Sequence, residues 1–307
     1  MFSFIVRRVA GMIPLLIVVS IISFLFVHLT PGDPIRVLYG TEISPAAYEM
    51  LKQKEGLNDP LYVQYGRYIK KIVTQGDFGI SYRTKSNVSE EIVRRLCYTL
   101  VLTLASMLWA VVIGLAVGII SATKRNTIWD RLGMVTTITA LSIPEFWFGL
   151  MLMQIFAVQL GWLPTSGSGG LEHLILPSLT LGLGVAAIVA RFTRSSVLDV
   201  LREDYVRTAR AKGQRGWVIV MTHVLRSALI PVVTMTGLQF GILLGGAVVV
   251  EQVFAWPGLG SYLIDSILTR DYPVIQALIL LFSVQFLVVN LLVDVSYGLL
   301  NPQIRYE

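Results

Sequence analysis

Apolar residues dominate this chain in six long stretches, approximately Val9 to Leu29, Tyr98 to Ala122, Leu132 to Leu160, Leu174 to Ala190, Leu229 to Val250 and Val274 to Leu299. About 20 predominantly apolar residues suffice to cross the hydrocarbon core of a bilayer as a helix. The pattern therefore predicts an all-α membrane protein with six transmembrane helices. The first stretch follows Arg7 and Arg8 as a secretory signal would. It is too long for a signal's apolar region and no small-x-small cleavage site follows it, so it reads as a retained anchor. Pro144 and Glu145 interrupt the third stretch, and a proline there frees a backbone carbonyl and can kink the helix.

Composition agrees with the pattern. Hydrophobic residues make up 54% of the chain and charged residues 14%, with mean hydropathy +0.69, whereas soluble domains are about 25% charged. The net charge of +6 and pI near 9.5 point to basic loops at the cytoplasmic face of a membrane rather than to nucleic acid. Short loops decide orientation. One side has Arg7, Arg8, Lys124, Arg125, Arg131, eight Lys and Arg between Arg191 and Arg226, and Arg305; the other has only Arg270. Both termini are expected in the cytoplasm. The long stretch from Pro31 to Arg95 mixes ten basic with eight acidic residues. Its pieces PGDP, GLNDPLYVQYGRYIKKI and GDFGISY surround a short amphipathic helix with turns. The expected divisions are an N-terminal helix at 1–30, an external cap at 31–96, and a five-helix core at 97–307 with a cytoplasmic segment at 191–228.

Catalytic and metal chemistry find little support. Cys97 is the single cysteine, without Cys or His neighbours at metal spacing, so it reads as an inert apolar filler. No GxxxxGK[ST] phosphate loop occurs, so the chain by itself is not expected to hydrolyse ATP. The histidines, His28, His173 and His223, form no HExxH pair, and none lies on the last two spans to activate a serine. Ser166 and Ser168 belong to a glycine-rich external turn. Neither a cofactor nor a metal site is expected in this chain.

Transport remains, and the segment between Val189 and Pro231 gives it a form. From Val197 the apolar positions Val197, Leu201 and Tyr205 recur at helical spacing, Glu203 precedes Arg207 by one turn, and Gly213 is placed to end the helix. Read from spacing alone, this is either a short rigid lever that touches a soluble partner or a solvated basic loop. RTARAKG at Arg207 to Gly213, with HVLRSALIP at His223 to Pro231, resembles the coupling motif of permease subunits in ABC importers of the dipeptide, oligopeptide, glutathione and nickel branch. The likeness runs through PGDP, GLNDPLYVQY, GDFGIS, the SIP of the third span, GWLPTSG, ILPSLTL, VVEQVFAWPGLG, RDYPVIQ and the closing NPQIRY. Two positions depart from the general importer motif. Arg207 stands where that motif opens with glutamate, and the spacing from Gly213 to Leu229-Ile230-Pro231 is longer; the peptide branch commonly has both features.

The resemblance implies a multi-pass bacterial inner-membrane protein of the type I importer permease fold. It also implies a second, similar permease, two cytoplasmic ATPases that bind ATP and Mg2+, and an external solute-binding protein. Glu203, Asp204, Tyr205, Arg207, Thr208, Ala209, Arg210, Ala211, Lys212 and Gly213 would form the helix seated in an ATPase groove, with small Ala209 and Ala211 allowing close approach. The expected substrate is a dipeptide, oligopeptide or glutathione, with nickel or a nickel chelate as the alternative. An ion-coupled secondary transporter and a passive channel are the readings from other classes.

Within the spans, Gly237, Gly241 and Gly245 repeat every four residues. That spacing suits close helix packing against a neighbouring span or the sister permease, and is compatible with a glycine-lined pathway wall. Glu145 is the most prominent intramembrane acid, and such acids are functional by default. It is read either as a pathway contact for a substrate cation or as a structural carboxylate at a kink; Gln239 is the second pathway candidate. Asp294 and Glu251, near span ends, read as boundary or packing residues that reach the interface. WPGLG at Trp256 to Gly260 and the cap read as docking surfaces for the binding protein.

Overall fold

The computed structural model describes residues 2–29, 35, 44–54 and 56–300. PGDP at Pro31 to Pro34 and the closing NPQIRY with Arg305 lie outside the described residues. The described residues are predominantly helical and hold no β-strand beyond an isolated bridge between Ile80 and Asn87.

Helix α1 spans Phe2–Leu29, and two shorter helices follow, α2 (Pro45–Lys54) and α3 (Leu61–Gln75). The longest helix is α4 (Val88–Thr123), capped by Asn87, whose side chain accepts from the Ser89 N–H at 2.8 Å. Next come α5 (Ile128–Ser142) and α6 (Glu145–Leu152), the latter widening into a π-helical stretch at Met153–Gln159. Helix α7 (Leu171–Val200) is followed by the two-turn α8 (Asp204–Ala211). A single turn, α9 (Gly216–Ile219), runs through a π turn at Val220–Val224 into α10 (Leu225–Gly246). The described residues finish with α11 (Val248–Val253), α12 (Leu259–Thr269) and α13 (Tyr272–Leu300).

Among the described residues, five helical stretches are long and apolar enough to cross a membrane: Val6–Phe26, Val88–Thr123, Leu171–Val200, Gly216–Gly245 and Tyr272–Val295. The expected third span, Leu132 to Leu160, is instead a broken pair whose halves α5 and α6 bend by 103°. Proline explains the break. Pro144 has no N–H to continue the helix and drives the residue before it out of the α region; Ile143 and Pro144 are both extended, with ψ of 127° and 131°. The fourth span also differs from expectation. Helix α7 continues past Ala190 to Val200, so Val197 belongs to it rather than to the coupling helix.

Helices α4 and α7 make the most extensive pairing in the molecule. It depends on glycines that the apolar pattern did not single out. A Cβ on Gly114 would sit 2.8 Å from the Ala186 carbonyl oxygen, one on Gly118 2.6 Å from that of Ala190, and one on Gly182 2.7 Å from that of Ser106. Of the three glycines expected to pack, Gly237 lies against Val293 and Gly241 against Val289 of α13. Gly245 has nothing within 4 Å among the described residues.

The segment between α1 and α4 leans on the core. Helix α3 buries no residue. It rests on α1 through Tyr65, whose hydroxyl is 2.7 Å from Ser20 Oγ and whose ring meets Phe24 edge-on at 5.5 Å. The loop at 76–87 is pinned at Asp271, between α12 and α13. That carboxylate accepts from the Ser81 hydroxyl and, at 2.9 Å, from the Tyr82 N–H.

Candidate functional site

The segment expected to contact a soluble partner is built at the end of the molecule where α4, α7 and α9 meet. After Val200 the chain turns for three residues, and Glu203, extended at φ −64° and ψ 147°, stands as the N-cap of α8. Asp204 in the first turn and Arg210 in the last complement the helix dipole. Gly213 ends the helix at φ +77°, a left-handed conformation that glycine adopts without steric penalty.

An eight-residue helix is marginal alone in water, so tertiary packing must hold α8 in place. Val206 is fully buried and Ala209 is 7% exposed. Both enter a cluster with Ala122 of α4, Val197 of α7, and Ile219, Val224 and Ala228 of the α9–α10 region. Ala209 therefore faces inward, contrary to its expected place at a partner surface, and Val206, which periodicity from Val197 did not mark, is the principal anchor. Tyr205, Arg207, Thr208, Arg210, Ala211 and Lys212 lie exposed on the other faces. The expected Glu203–Arg207 contact is replaced by Arg207 Nη1 to Asp204 Oδ1 at 3.3 Å. Both side chains are exposed, so the pair adds little.

Polar contacts brace the surroundings. Tyr205 donates to Ser227 Oγ at 3.3 Å, the Ser196 hydroxyl to the Ala228 carbonyl at 2.7 Å, and His223 Nε2 lies 3.0 Å from Gln214 Oε1. Beside α8 opens a cleft of about 480 Å3 with an apolar floor that includes Ile119, Trp217 and Met221 and with Lys124 and Arg210 among its lining residues.

The intramembrane candidates fall on separate elements. Glu145 opens α6 and is exposed, its Oε1 3.8 Å from where a Cβ on Gly184 would stand. It has no hydrogen-bond or ion-pair partner among the described residues. Gln239 lies on α10 and is 8% exposed. Asp294 pairs with Arg8 at 3.1 Å, joining α13 to α1.

Glu251 does not reach an interface, as its place near a span end suggested; it is fully buried. Its carboxylate accepts from Thr99 Oγ1 of α4 at 2.7 Å and from the N–H groups of Gly260 and Ser261 at 2.7 and 3.0 Å. Thr99 Oγ1 in turn accepts from the Leu259 N–H at 2.8 Å. The first N–H groups of a helix lack intrahelical partners, and here a carboxylate from α11 satisfies two of those of α12. Close approach is required: a Cβ on Gly258 would lie 2.1 Å from Glu251 Oε1. Trp256 is 4% exposed, donating Nε1–H to the Tyr98 carbonyl at 3.0 Å, and Leu259 is fully buried. WPGLG is therefore an internal knot rather than the docking surface expected.

Thr99, Asp271, Asp130 and Arg194 escaped the sequence reading. Asp130 offered the clearest signal, a charge at the mouth of an apolar stretch.

A family model described as "Binding-protein-dependent transport system inner membrane component" matches residues 114–306, and one described as "Binding-prot-dependent transport system membrane comp, N-term" matches residues 1–103. The glutathione transport system permease protein GsiC of Salmonella typhimurium is 55% identical over 307 residues, covering 100% of both chains, and GsiC of Escherichia coli is 54% identical over the same length and coverage. Among solved structures, a chain of the MetNI methionine ABC transporter in an inward-facing conformation matches with TM-score 0.60 at 22% identity, over 68% of this chain and 96% of its own. A chain from an amino acid ABC transporter with histidines matches with TM-score 0.52 at 17% identity, over 70% and 94%. These two likenesses are of fold alone. From its all-helical architecture, the family models over both halves and full-length relatives at 54% and 55% identity, the chain belongs to the inner-membrane permease family of binding-protein-dependent ABC transport systems, in the branch that holds the glutathione permeases.

Proposed function

We propose that this chain is one of two permease subunits of an ATP-driven importer that carries glutathione or another small peptide inward by alternating access. Two partner ATPases bind ATP and Mg2+ at the end of the molecule bearing α8, which is the cytoplasmic end together with both termini. An external solute-binding protein delivers substrate at the other end.

The observation that carries this reading is the division of α8 into two sides. Val206 and Ala209 root it in a core shared by α4, α7 and α10, while Tyr205, Arg207, Thr208, Arg210, Ala211, Lys212 and the turn at Gly213 are open to a partner. A helix held this way moves as a unit with the spans beneath it. Closure of the ATPase pair around ATP would displace α8 and reorient those spans, and the absence of a phosphate loop in this chain fits a division of labour in which partners supply the energy. Full-length identity to glutathione permeases supports glutathione as substrate. Glu145 and Gln239 are the proposed pathway contacts. A glutathione or peptide ammonium is the natural partner for the Glu145 carboxylate, and the open face at Gly245 is left for the sister subunit.

The test is uptake of labelled glutathione into proteoliposomes containing the whole transporter, with unlabelled dipeptide or Ni2+ as competitor. ATP-dependent accumulation that Ni2+ does not suppress is expected. Uptake without ATP, driven by an ion gradient, would overturn the importer reading; uptake of nickel alone would overturn the substrate.

A further inference from the structure

Helix α7 touches both halves of the broken span. At the α8 end, Asp130 in the first turn of α5 is 4% exposed. Its carboxylate receives Arg194 of α7 as a fork, Nε to Oδ1 at 2.6 Å and Nη2 to Oδ2 at 2.9 Å, and Oδ2 also accepts from the Asn126 N–H at 3.0 Å. Beyond the break, a Cβ on Gly149 of α6 would lie 3.0 Å from Thr180 of α7. Within one turn of Arg194, Val197 is fully buried in the cluster that roots α8. Helices α8 and α5 thus meet through a single turn of α7.

Stability alone does not call for this fork. Asp130 is buried and the Arg194 side chain is 26% exposed; an ion pair with a buried member loses to desolvation much of what it gains in attraction, and an apolar pair of similar volume often holds a fold as well. What a fork supplies that apolar contact cannot is a fixed relative orientation, because two parallel charge-assisted bonds resist sliding and rotation. The α4–α7 interface nearby is small-residue packing crossed by one neutral bond, from Trp109 Nε1–H to the Ser178 carbonyl at 2.8 Å.

We propose that Asp130 and Arg194 are positioning residues that transmit movement of α8 to the broken span formed by α5 and α6. The inference rests on α8 being the ATPase contact proposed above.

The experiment uses the whole transporter with its binding protein in proteoliposomes, with glutathione as the probe. Three changes are compared: D130N, R194K and the apolar pair D130L/R194L. R194K keeps the charge and disturbs folding least, while the apolar pair leaves no charge unpaired. In each, ATP hydrolysis is expected to persist while glutathione taken up per ATP falls about tenfold, a typical size for coupling between sites. A purely structural fork predicts the opposite for the apolar pair, which would couple normally when as stable as the unaltered protein; that result overturns the proposal, as does normal coupling in R194K. If the unaltered transporter does not take up glutathione, the substrate reading fails and not this one. Stimulation of ATP hydrolysis by the loaded binding protein then reads the same coupling, and its survival in all three variants overturns the proposal.

Discussion

At the scale of single residues, the most constrained position is Glu251, where one carboxylate satisfies a hydroxyl and two helix N–H groups. Replacing it with leucine keeps the volume and removes the acceptor. Each buried donor left unpaired costs about 1–3 kcal/mol, so Glu251→Leu should lower thermal stability in detergent by several degrees or more, and an unchanged melting temperature would refute the assignment. Gly213 makes a different demand. A side chain in its left-handed conformation costs about 1–2 kcal/mol, so Gly213→Val should distort the end of α8 while leaving the membrane core intact. ATP hydrolysis should continue and glutathione uptake should fall, measured together in proteoliposomes. The sequence showed Gly213 as a terminator because glycine after a helical stretch has few other readings. It could not show that Glu251 points inward, since proximity to a span end is equally compatible with a side chain reaching the interface.

Among elements, α8 and the broken span depend most on tertiary contact. Val206 enters the shared cluster fully buried, and a charge there would be unpaired in an apolar site. Val206→Asp should release α8, seen as faster amide hydrogen exchange at 204–211 with little change in α4 or α7; Arg207→Ala, on the exposed side, should leave exchange as it was. Apolar length correctly marked where membrane helices lie but not their direction. Hydropathy sees 132–160 as one stretch, and Pro144 announces a disturbance without giving its size. The bend is 103°, and beyond it α6 packs on the core, with Gly149 lying against Thr180 and Phe254. The inner face of α8 was hidden for a related reason. Its apolar phase does not continue from Val197, which lies on α7.

For the molecule as a whole, the α4–α7 pair is the most extensive helix contact among the described residues, and α5, α6 and α10 pack on α7 beside it. Leucine at Gly118 would thrust a side chain into the Ala190 carbonyl, 2.6 Å from the first added carbon. Overpacking of this kind costs about 1–3 kcal/mol, and Gly118→Leu should reduce the yield of assembled transporter in size-exclusion chromatography more than Gly66→Leu on α3, where an added Cβ meets nothing within 4 Å. Fold, membrane location and family were legible in the sequence because they depend on apolar length and ordered motifs. The Asp130–Arg194 fork was not, because its partners are 64 residues apart and no local pattern joins them. The central claim is that α8 meets the ATPases. Cys97 is the chain's single cysteine, so a Cys97→Ser background permits one new thiol at Arg207, which is 71% exposed in its side chain. The measurement is cross-linking of that thiol with a short thiol-to-amine reagent in native membranes. The account predicts a product joining this chain to an ATPase subunit, formed to different extents with and without ATP; cross-linking only to the sister permease or the binding protein would contradict it.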